Sequence, residues 1–101
     1  MSVYIIITTV NKKENALKIA NELLSRKIAA CVSFFPVVSA YRWKGSISVE
    51  EEYMLYIKTT KPSEVEEYLK VNHPYELPEI LKIEASGSEE YEKWVSDECK
   101  A

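Results

Sequence analysis

The residues best suited to binding or catalysis lie at positions 73–79, in the sequence HPYELPE. Two prolines fix the backbone here and favour extended conformations for the residues before them, so the segment is expected to form a rigid loop. It carries the following polar groups: His73, Tyr75, Glu76 and Glu79. Imidazole and carboxylate groups on a rigid loop can bind a metal ion or exchange a proton. The segment is equally consistent with a connector in which His73 only makes local hydrogen bonds.

Two cysteines, Cys31 and Cys99, are further candidate ligands or nucleophiles. They lie far apart and form no C-x-x-C pair, which excludes a thioredoxin-like motif and a zinc ribbon. Both are interpreted as free thiols, and a cysteine inside an apolar strand, such as Cys31, is typically a small core residue. A nucleophile and base pair of Cys31 with His73 is conceivable, but nothing in the sequence brings the two together.

The first part of the chain predicts a strand followed by a helix. Residues 3–7 are a continuous β-branched run, which is typical of a central strand covered on both faces. Apolar residues then recur at helical spacing from Ala16 to Ile28. Asn11 and Glu14 have the spacing of a capping box, which predicts the start of this helix.

The middle of the chain predicts a long hairpin. Residues 29–43 and 47–60 are rich in β-branched and aromatic side chains, and the sequence KGS at 44–46 is a turn signal between them. Pro36 interrupts the first strand and predicts a bend or bulge. The three consecutive glutamates at 50–52 are interpreted as a solvated corner of the second strand.

The last part of the chain predicts a helix, a strand and a final helix. Pro62 suits the first turn of a helix that must end before Pro74. A strand follows over residues 80–85, and Gly87 with Ser88 starts the last helix. The resulting order predicts an α+β, ferredoxin-like split βαβ fold in one domain over residues 1–101, with an extra C-terminal helix. Its second sheet face stays open, which favours a homo-oligomer.

Composition and charge exclude several classes of function. The net charge is −3, so the chain has no basic footprint for nucleic acid or for an anionic membrane. The longest apolar stretch, residues 28–41, is shorter than the about 18 residues that a membrane span needs. The N-terminal sequence lacks the basic start and cleavage site of a signal peptide, so a cytoplasmic location is expected.

Five short motifs occur in order along the chain: AACV at 29–32, YRWKG at 41–45, IKTT at 57–60, HPYELPE at 73–79 and YEKW at 91–94. Together they resemble the CutA family of divalent-cation tolerance proteins. The resemblance implies a tight trimer of ferredoxin-like protomers whose long hairpins pair between subunits, as in nitrogen-regulatory PII proteins. It also implies a role in tolerance of copper and other divalent ions, with copper bound between subunits in some members.

The resemblance implies a cleft lined by these residues: Cys31, Trp43, Lys58, His73, Tyr75 and Glu79. Members with a described copper site have a cysteine and a second histidine where this chain has Thr8 and Asn72. His73 and Cys31 therefore remain as metal ligands for Cu(II) or another divalent cation, which is not an obligatory cofactor. One imidazole is a weak site, so Glu79 or groups of a neighbouring subunit would have to contribute. Alternatively, Lys58 and Glu79 pair across the subunit boundary and hold the trimer together.

Other functions remain as alternatives to a non-catalytic metal-binding trimer. A PII-like sensor of a small molecule would share the fold and the trimer, and the mixed cleft chemistry could bind a small anion, although no glycine-rich loop is present for phosphate. An acylphosphatase would need a glycine-rich anion cradle and an arginine after the first strand, and residues 8–11 (TTVN) offer neither. No strand carries the aromatic pattern of an RNA-binding module.

Overall fold

The computed structural model describes residues 2–100, which form four strands and three helices in this order: β1 (Val3–Val10), α1 (Lys13–Ser25), β2 (Cys31–Trp43), β3 (Ser46–Thr59), α2 (Pro62–Asn72), β4 (Leu81–Ala85) and α3 (Glu89–Glu98). The strands form one antiparallel sheet in the spatial order β2-β3-β1-β4. This is the ferredoxin-like arrangement, so the predicted α+β class and element order are confirmed. The ends of the predicted domain, Met1 and Ala101, lie outside the described residues.

The core lies between one face of the sheet and the helices α1 and α2. Ile6, Leu55 and Ile57 on the central strands are fully buried, together with Leu23 of α1 and Leu69 of α2. Complete burial of a side chain of this size stabilises the fold by about 1.5–3 kcal/mol. Because side chains alternate along a strand, the neighbours of these residues point to the opposite face.

That opposite face is only partly covered. Leu81 and Ile83 of β4 are 54% and 47% exposed, and Phe35 of β2 is 40% exposed. Helix α3 covers one end of the sheet, where Val95 packs against Val3 at the start of β1. Large apolar side chains therefore remain exposed across the middle of this open face.

Strands β2 and β3 extend well beyond the rest of the sheet. The pairing of β1 with β3 ends at Val10 and Tyr53, whereas β2 and β3 stay paired as far as Trp43 and Ser46. The register is constant through Pro36, so there is no bulge at this position. Because β2 is an edge strand, a proline can lie in it without breaking a ladder on both sides.

Residues 37–52 form a two-stranded projection, called the hairpin arm below. Lys44 and Gly45 at its tip both have positive φ, 49° and 83°, which is the geometry of a tight type I′ turn. Val38, Ile47 and Val49 along the arm are 70%, 74% and 64% exposed. An isolated two-stranded hairpin is only marginally stable in water, so the arm is the part of the fold with the least support from its own chain.

Helix α1 does not begin with the predicted capping box. It starts at Lys13, its N-cap residue is Lys12, and no side chain caps it. The Asn11 side chain instead accepts a hydrogen bond from the Asn15 amide at 3.0 Å. The role predicted for Asn11 and Glu14 is therefore wrong.

The starts of the other two helices follow the sequence prediction. Pro62 is the first residue of α2, and the Ser88 hydroxyl caps α3 by accepting a hydrogen bond from the Tyr91 N–H at 3.2 Å. Within residues 2–100, none of the helices is both long and apolar enough to cross a membrane.

Candidate functional site: an acidic cleft at the base of the hairpin arm

A cleft of about 770 Å³ lies between the hairpin arm and the loop that follows α2, and it is called the acidic cleft below. Its volume is within the range of small-molecule sites. Its walls carry carboxylates and aromatic rings: Glu50, Glu52, Glu76, Glu79, Tyr41, Trp43 and Tyr75. Arg42 is the one basic residue among the described residues that line it. Three residues predicted from the sequence, Trp43, Tyr75 and Glu79, therefore do lie together here.

His73 does not line the cleft itself but lies behind it, against the lining residues Tyr75 and Thr9, and both of its ring nitrogens are bonded within the chain. Nδ1 accepts a hydrogen bond from the Tyr75 N–H at 3.0 Å, and Nε2 lies 2.9 Å from the Thr9 carbonyl oxygen. Since Nδ1 is an acceptor, the hydrogen-bond network assigns the proton to Nε2, which donates to Thr9. Burial lowers the pKa of His73, and the Thr9 hydrogen bond and the charge of Glu52 oppose this effect. A metal ion at His73 would have to replace one of the two hydrogen bonds.

Tyr75 connects the loop to a buried carboxylate on β3. Its hydroxyl donates a hydrogen bond to Glu52 at 2.6 Å, and Glu52 is only 7% exposed. A buried carboxylate is costly unless it has a hydrogen-bond partner, and Tyr75 supplies one. Burial, followed by the bond to Glu52, raises the pKa of the Tyr75 hydroxyl. Its ring packs edge-on against His73, with the ring centroids 4.9 Å apart.

Glu52 is the site residue that sequence reasoning missed. The glutamates at 50–52 were expected to form a solvated corner, and for Glu52 that prediction is wrong. Alternation along β3 places Glu50 and Glu52 on the open face and Glu51 on the other face. Counting this alternation from the apolar residues of β3 would have separated Glu52 from Glu51, although its contact with Tyr75 is visible only in the fold.

Two further carboxylates of the cleft are in different environments. Burial raises the pKa of the Glu79 carboxyl, and the negative charge of Glu52 raises it further. Glu50, on the exposed hairpin arm, accepts a hydrogen bond from the Tyr41 hydroxyl. A positive charge placed in the cleft would reduce the repulsion between Glu52 and Glu79.

Cys31 and Lys58 form a separate cluster on the open face. They are directly opposite each other in the register of β2 and β3. The Lys58 Nζ lies 3.8 Å from the Cys31 sulfur and donates a hydrogen bond to the Ser33 hydroxyl at 3.1 Å. Cys31 is half-buried and Cys99 is buried, and both are free thiols, as the sequence predicts.

One chain does not bring Cys31 and His73 together. Cys31 pairs with Lys58 of β3, which in turn pairs with Ile5 of β1. His73 is bonded to Thr9, four residues further along β1. At the usual rise of a strand this offset is about 13 Å. Among residues 2–100, no three His, Cys, Asp or Glu side chains are close enough to hold a metal ion. A single chain therefore does not fit a copper or zinc ion, which takes three or four ligands.

Thr8 and Asn72 do not line the acidic cleft either. Thr8 points to the helix side of the sheet, is fully buried, and its hydroxyl has no hydrogen-bond partner. Asn72 is exposed, and its side-chain amide donates to the Tyr68 carbonyl oxygen at 3.0 Å. A ligand at position 8 would thus face the core rather than the cleft.

Comparison with known proteins identifies the family. The model of the CutA1 divalent ion tolerance protein family matches residues 4–98, which is almost the whole chain. The chain belongs to the CutA1 family. The divalent-cation tolerance protein CutA of Archaeoglobus fulgidus is 41% identical over 54 residues, which cover 54% of this chain and 53% of that protein. In the first curated relatives, the matched segment spans between 53% and 61% of their own lengths.

Solved CutA structures have the same fold over nearly all of the chain. CutA from Xylella fastidiosa superposes with a TM-score of 0.94 at 36% identity, covering 99% of this chain and 100% of that one. The protein from Archaeoglobus fulgidus, described as a periplasmic divalent cation tolerance protein, has a TM-score of 0.93 at 34% identity, with the same coverage. The CutA1 family and its fold are therefore established for this chain.

Proposed function

We propose that the protein acts in divalent cation tolerance as a homotrimer, and that it binds metal ions weakly in a cleft between subunits without catalysing a reaction. Membership of the CutA1 family supports the role in tolerance. The observation that carries the proposed binding is the acidic cleft, where Glu50, Glu52 and Glu79 face a cavity of about 770 Å³. Carboxylates are suitable ligands for divalent cations.

The trimer is supported by surfaces that one chain leaves uncovered. The open face exposes Phe35, Leu81 and Ile83, and the hairpin arm exposes Ile47 and Val49. Exposed apolar groups in such number are typical of an interface. Packing of three copies through the open faces and arms would bury these side chains and would place groups of one subunit next to the acidic cleft of another.

The metal ligands in this proposal come from more than one subunit. His73 and Cys31 are the nitrogen and sulfur donors, and Glu79 is a carboxylate donor within the acidic cleft. Copper prefers imidazole and thiolate ligands, which favours Cu(II) over calcium or magnesium. Because His73 must release a hydrogen bond before it can bind a metal, we expect the affinity to be low.

We also propose a cytoplasmic location. Two free thiols, Cys31 and Cys99, are compatible with a reducing compartment. Fractionation of cells that produce the protein tests this, and recovery from a periplasmic or secreted fraction would contradict it.

A second candidate function is that of a small-molecule sensor resembling PII proteins. The volume of the acidic cleft favours it, since about 770 Å³ is far more than a bare metal ion requires. In this case the trimer would respond to an organic ligand, and metal binding would be incidental.

Native mass spectrometry with Cu(II) or Zn(II) tests the first proposal. We expect a trimer that takes up three ions, with uptake reduced in His73→Ala and in Glu79→Gln. Glu89→Gln, an exposed glutamate on α3, is the matched control and should bind like the wild type. A trimer that binds no ion, or that binds equally in all variants, would contradict the metal site and leave the sensor as the better interpretation.

A further inference from the structure

We propose that the acidic cleft binds an organic ammonium ion, such as an alkylamine or polyamine, through its aromatic rings and carboxylates. The inference rests on the second candidate function, the small-molecule sensor, and specifies the class of its ligand. The CutA1 family is named for divalent ions, but the acidic cleft of this chain lacks a convergent set of metal ligands among residues 2–100. A different class of cation is therefore considered as its ligand.

The aromatic lining is the first argument. Tyr41, Trp43 and Tyr75 all contribute to the walls. An ammonium group is attracted to the face of such rings, most strongly to that of tryptophan. The chain itself provides an example, because the Lys44 ammonium lies 5.7 Å from the centroid of the Trp43 ring. At least one ring of the cleft wall therefore already attracts an alkylammonium group of the same chemistry as the proposed ligand.

The charge of the lining is the second argument. Four glutamates against the single Arg42 give the described lining residues a formal charge of −3. Glu52 is nearly buried and keeps one hydrogen bond, from Tyr75, so its remaining acceptor capacity is available to an N–H donor. An anionic ligand would meet this charge unfavourably, whereas a cation is attracted to it.

The spacing of the carboxylates is the third argument. A divalent metal requires several oxygens within about 2.0–2.6 Å of one point. The carboxylates of the cleft do not converge in this way, since no such cluster occurs in the described chain. A polyamine carries several separated N–H donors on an apolar stem, so it can reach distant carboxylates while its methylene groups cover the rings. The cavity of about 770 Å³ has room for such a molecule.

Isothermal titration calorimetry with spermidine, at about 150 mM salt so that loose surface attraction is screened, tests the proposal. We expect saturable binding that weakens roughly tenfold in Glu79→Gln and in Trp43→Leu, as for the loss of one charge-assisted or cation–π contact. Glu89→Gln and Tyr91→Leu on α3 are the matched controls, because they remove an exposed carboxylate and an exposed aromatic ring away from the cleft. These controls should bind like the wild type.

The other outcomes separate this inference from the proposed metal function. Binding of Cu(II) without any binding of spermidine would overturn the ammonium site and leave the metal proposal in place. Spermidine binding that is equal in all variants would also overturn it, since it would reflect only the overall negative charge. If neither cation bound to an intact trimer, both proposals would be wrong. Saturable binding of spermidine by a metal-free trimer that does not bind Cu(II) would support the ammonium site and exclude the metal site.

Discussion

The body of the sheet and the hairpin arm differ although they share strands β2 and β3. In the body, Leu55 and Ile57 of β3 are fully buried under α1 and α2. In the arm, Ile47 and Val49 of the same strand are 74% and 64% exposed. The residue types are alike, so the difference arises because the helices cover only the body. The body therefore supplies the stability of one chain, and the arm offers apolar surface that only another molecule can cover.

Two tyrosine–glutamate hydrogen bonds differ in the same way, since one involves a buried carboxylate and the other an exposed one. Tyr75 donates a hydrogen bond to Glu52 at the base of the arm, next to the body, and Glu52 is almost buried. Tyr41 binds Glu50 on the arm, where both residues are exposed. Because water can replace a partner at the surface but not in the interior, we infer that the first bond is structural and that the second is dispensable in a single chain.

The largest expected effect is that of a core truncation in the body. Leu55→Ala should lower the free energy of unfolding by about 2–5 kcal/mol, since it leaves a cavity under the helices. Urea denaturation at fixed protein concentration measures it. Ile47→Ala on the arm is the matched variant, and its effect should appear only at protein concentrations at which the chains associate. Equal effects of the two variants in dilute monomer would contradict the contrast between body and arm.

The tyrosine pair gives the next largest effect. Tyr75→Phe should cost about 1–3 kcal/mol in the free energy of unfolding, because Glu52 would be left buried without its donor. Tyr41→Phe should leave the stability unchanged. The same urea titrations apply to both variants, and a Tyr41→Phe loss as large as that of Tyr75→Phe would show that the arm is ordered by more than its own strands.

A gain of stability is expected at Thr8. Its hydroxyl is buried without a hydrogen-bond partner, whereas its shape is close to that of valine. Thr8→Val should therefore raise the free energy of unfolding by about 1 kcal/mol, through removal of an unsatisfied polar group. Thr60→Val, at a half-buried threonine near the end of β3, is a control with the same chemical change. A destabilised Thr8→Val would indicate a polar partner for this hydroxyl in the assembled protein.

The smallest expected effect is on the pH dependence of stability. The pKa of His73 in the folded protein lies below its usual 6.5, mainly because the ring is buried. Unfolding therefore takes up a proton, so the contribution of neutral His73 is present above pH 6.5 and is lost as the pH falls through 6.5 towards the folded pKa. Glu79, whose pKa is raised from 4.5, has the opposite sign and acts nearer that value.

His73→Gln tests this dependence, since His73 is the only histidine of the chain. The wild type should lose stability between about pH 7.5 and 5.5, and the variant should lose less over the same interval. An unchanged slope in the variant would contradict the assignment of this dependence to His73.

Most of the fold was predictable because its signals are local. The β-branched run of β1, the turn at Lys44 and Gly45 and the proline at the start of α2 each act on neighbouring residues. The predictions that were wrong concern residues whose local structure depends on the surrounding fold. A bulge at Pro36 was one expectation, but the pairing of β2 with β3 continues through it, since an edge strand tolerates a proline. Asn11 was expected to cap α1, but it bonds Asn15 instead.

The site was only partly predictable. The motif at 73–79 indicated Tyr75 and Glu79, and both line the acidic cleft. The burial of Glu52 could not be deduced, because it depends on a contact between Tyr75 and a strand 23 residues away in sequence. For His73, the bond from the Tyr75 N–H is the local kind that the sequence allowed, whereas the bond to Thr9, 64 residues away, could not be deduced from the motif.

Sedimentation equilibrium of the wild-type protein at about micromolar concentration, a range where specific oligomers persist, tests the central claim that other copies cover the open face and the arm. We expect a mass of three times the 11.6 kDa of one chain. Leu81→Glu, which places a charge on the open face, should shift this mass towards the monomer. A wild-type mass of 11.6 kDa would contradict the claim, and with it the proposed binding site between subunits.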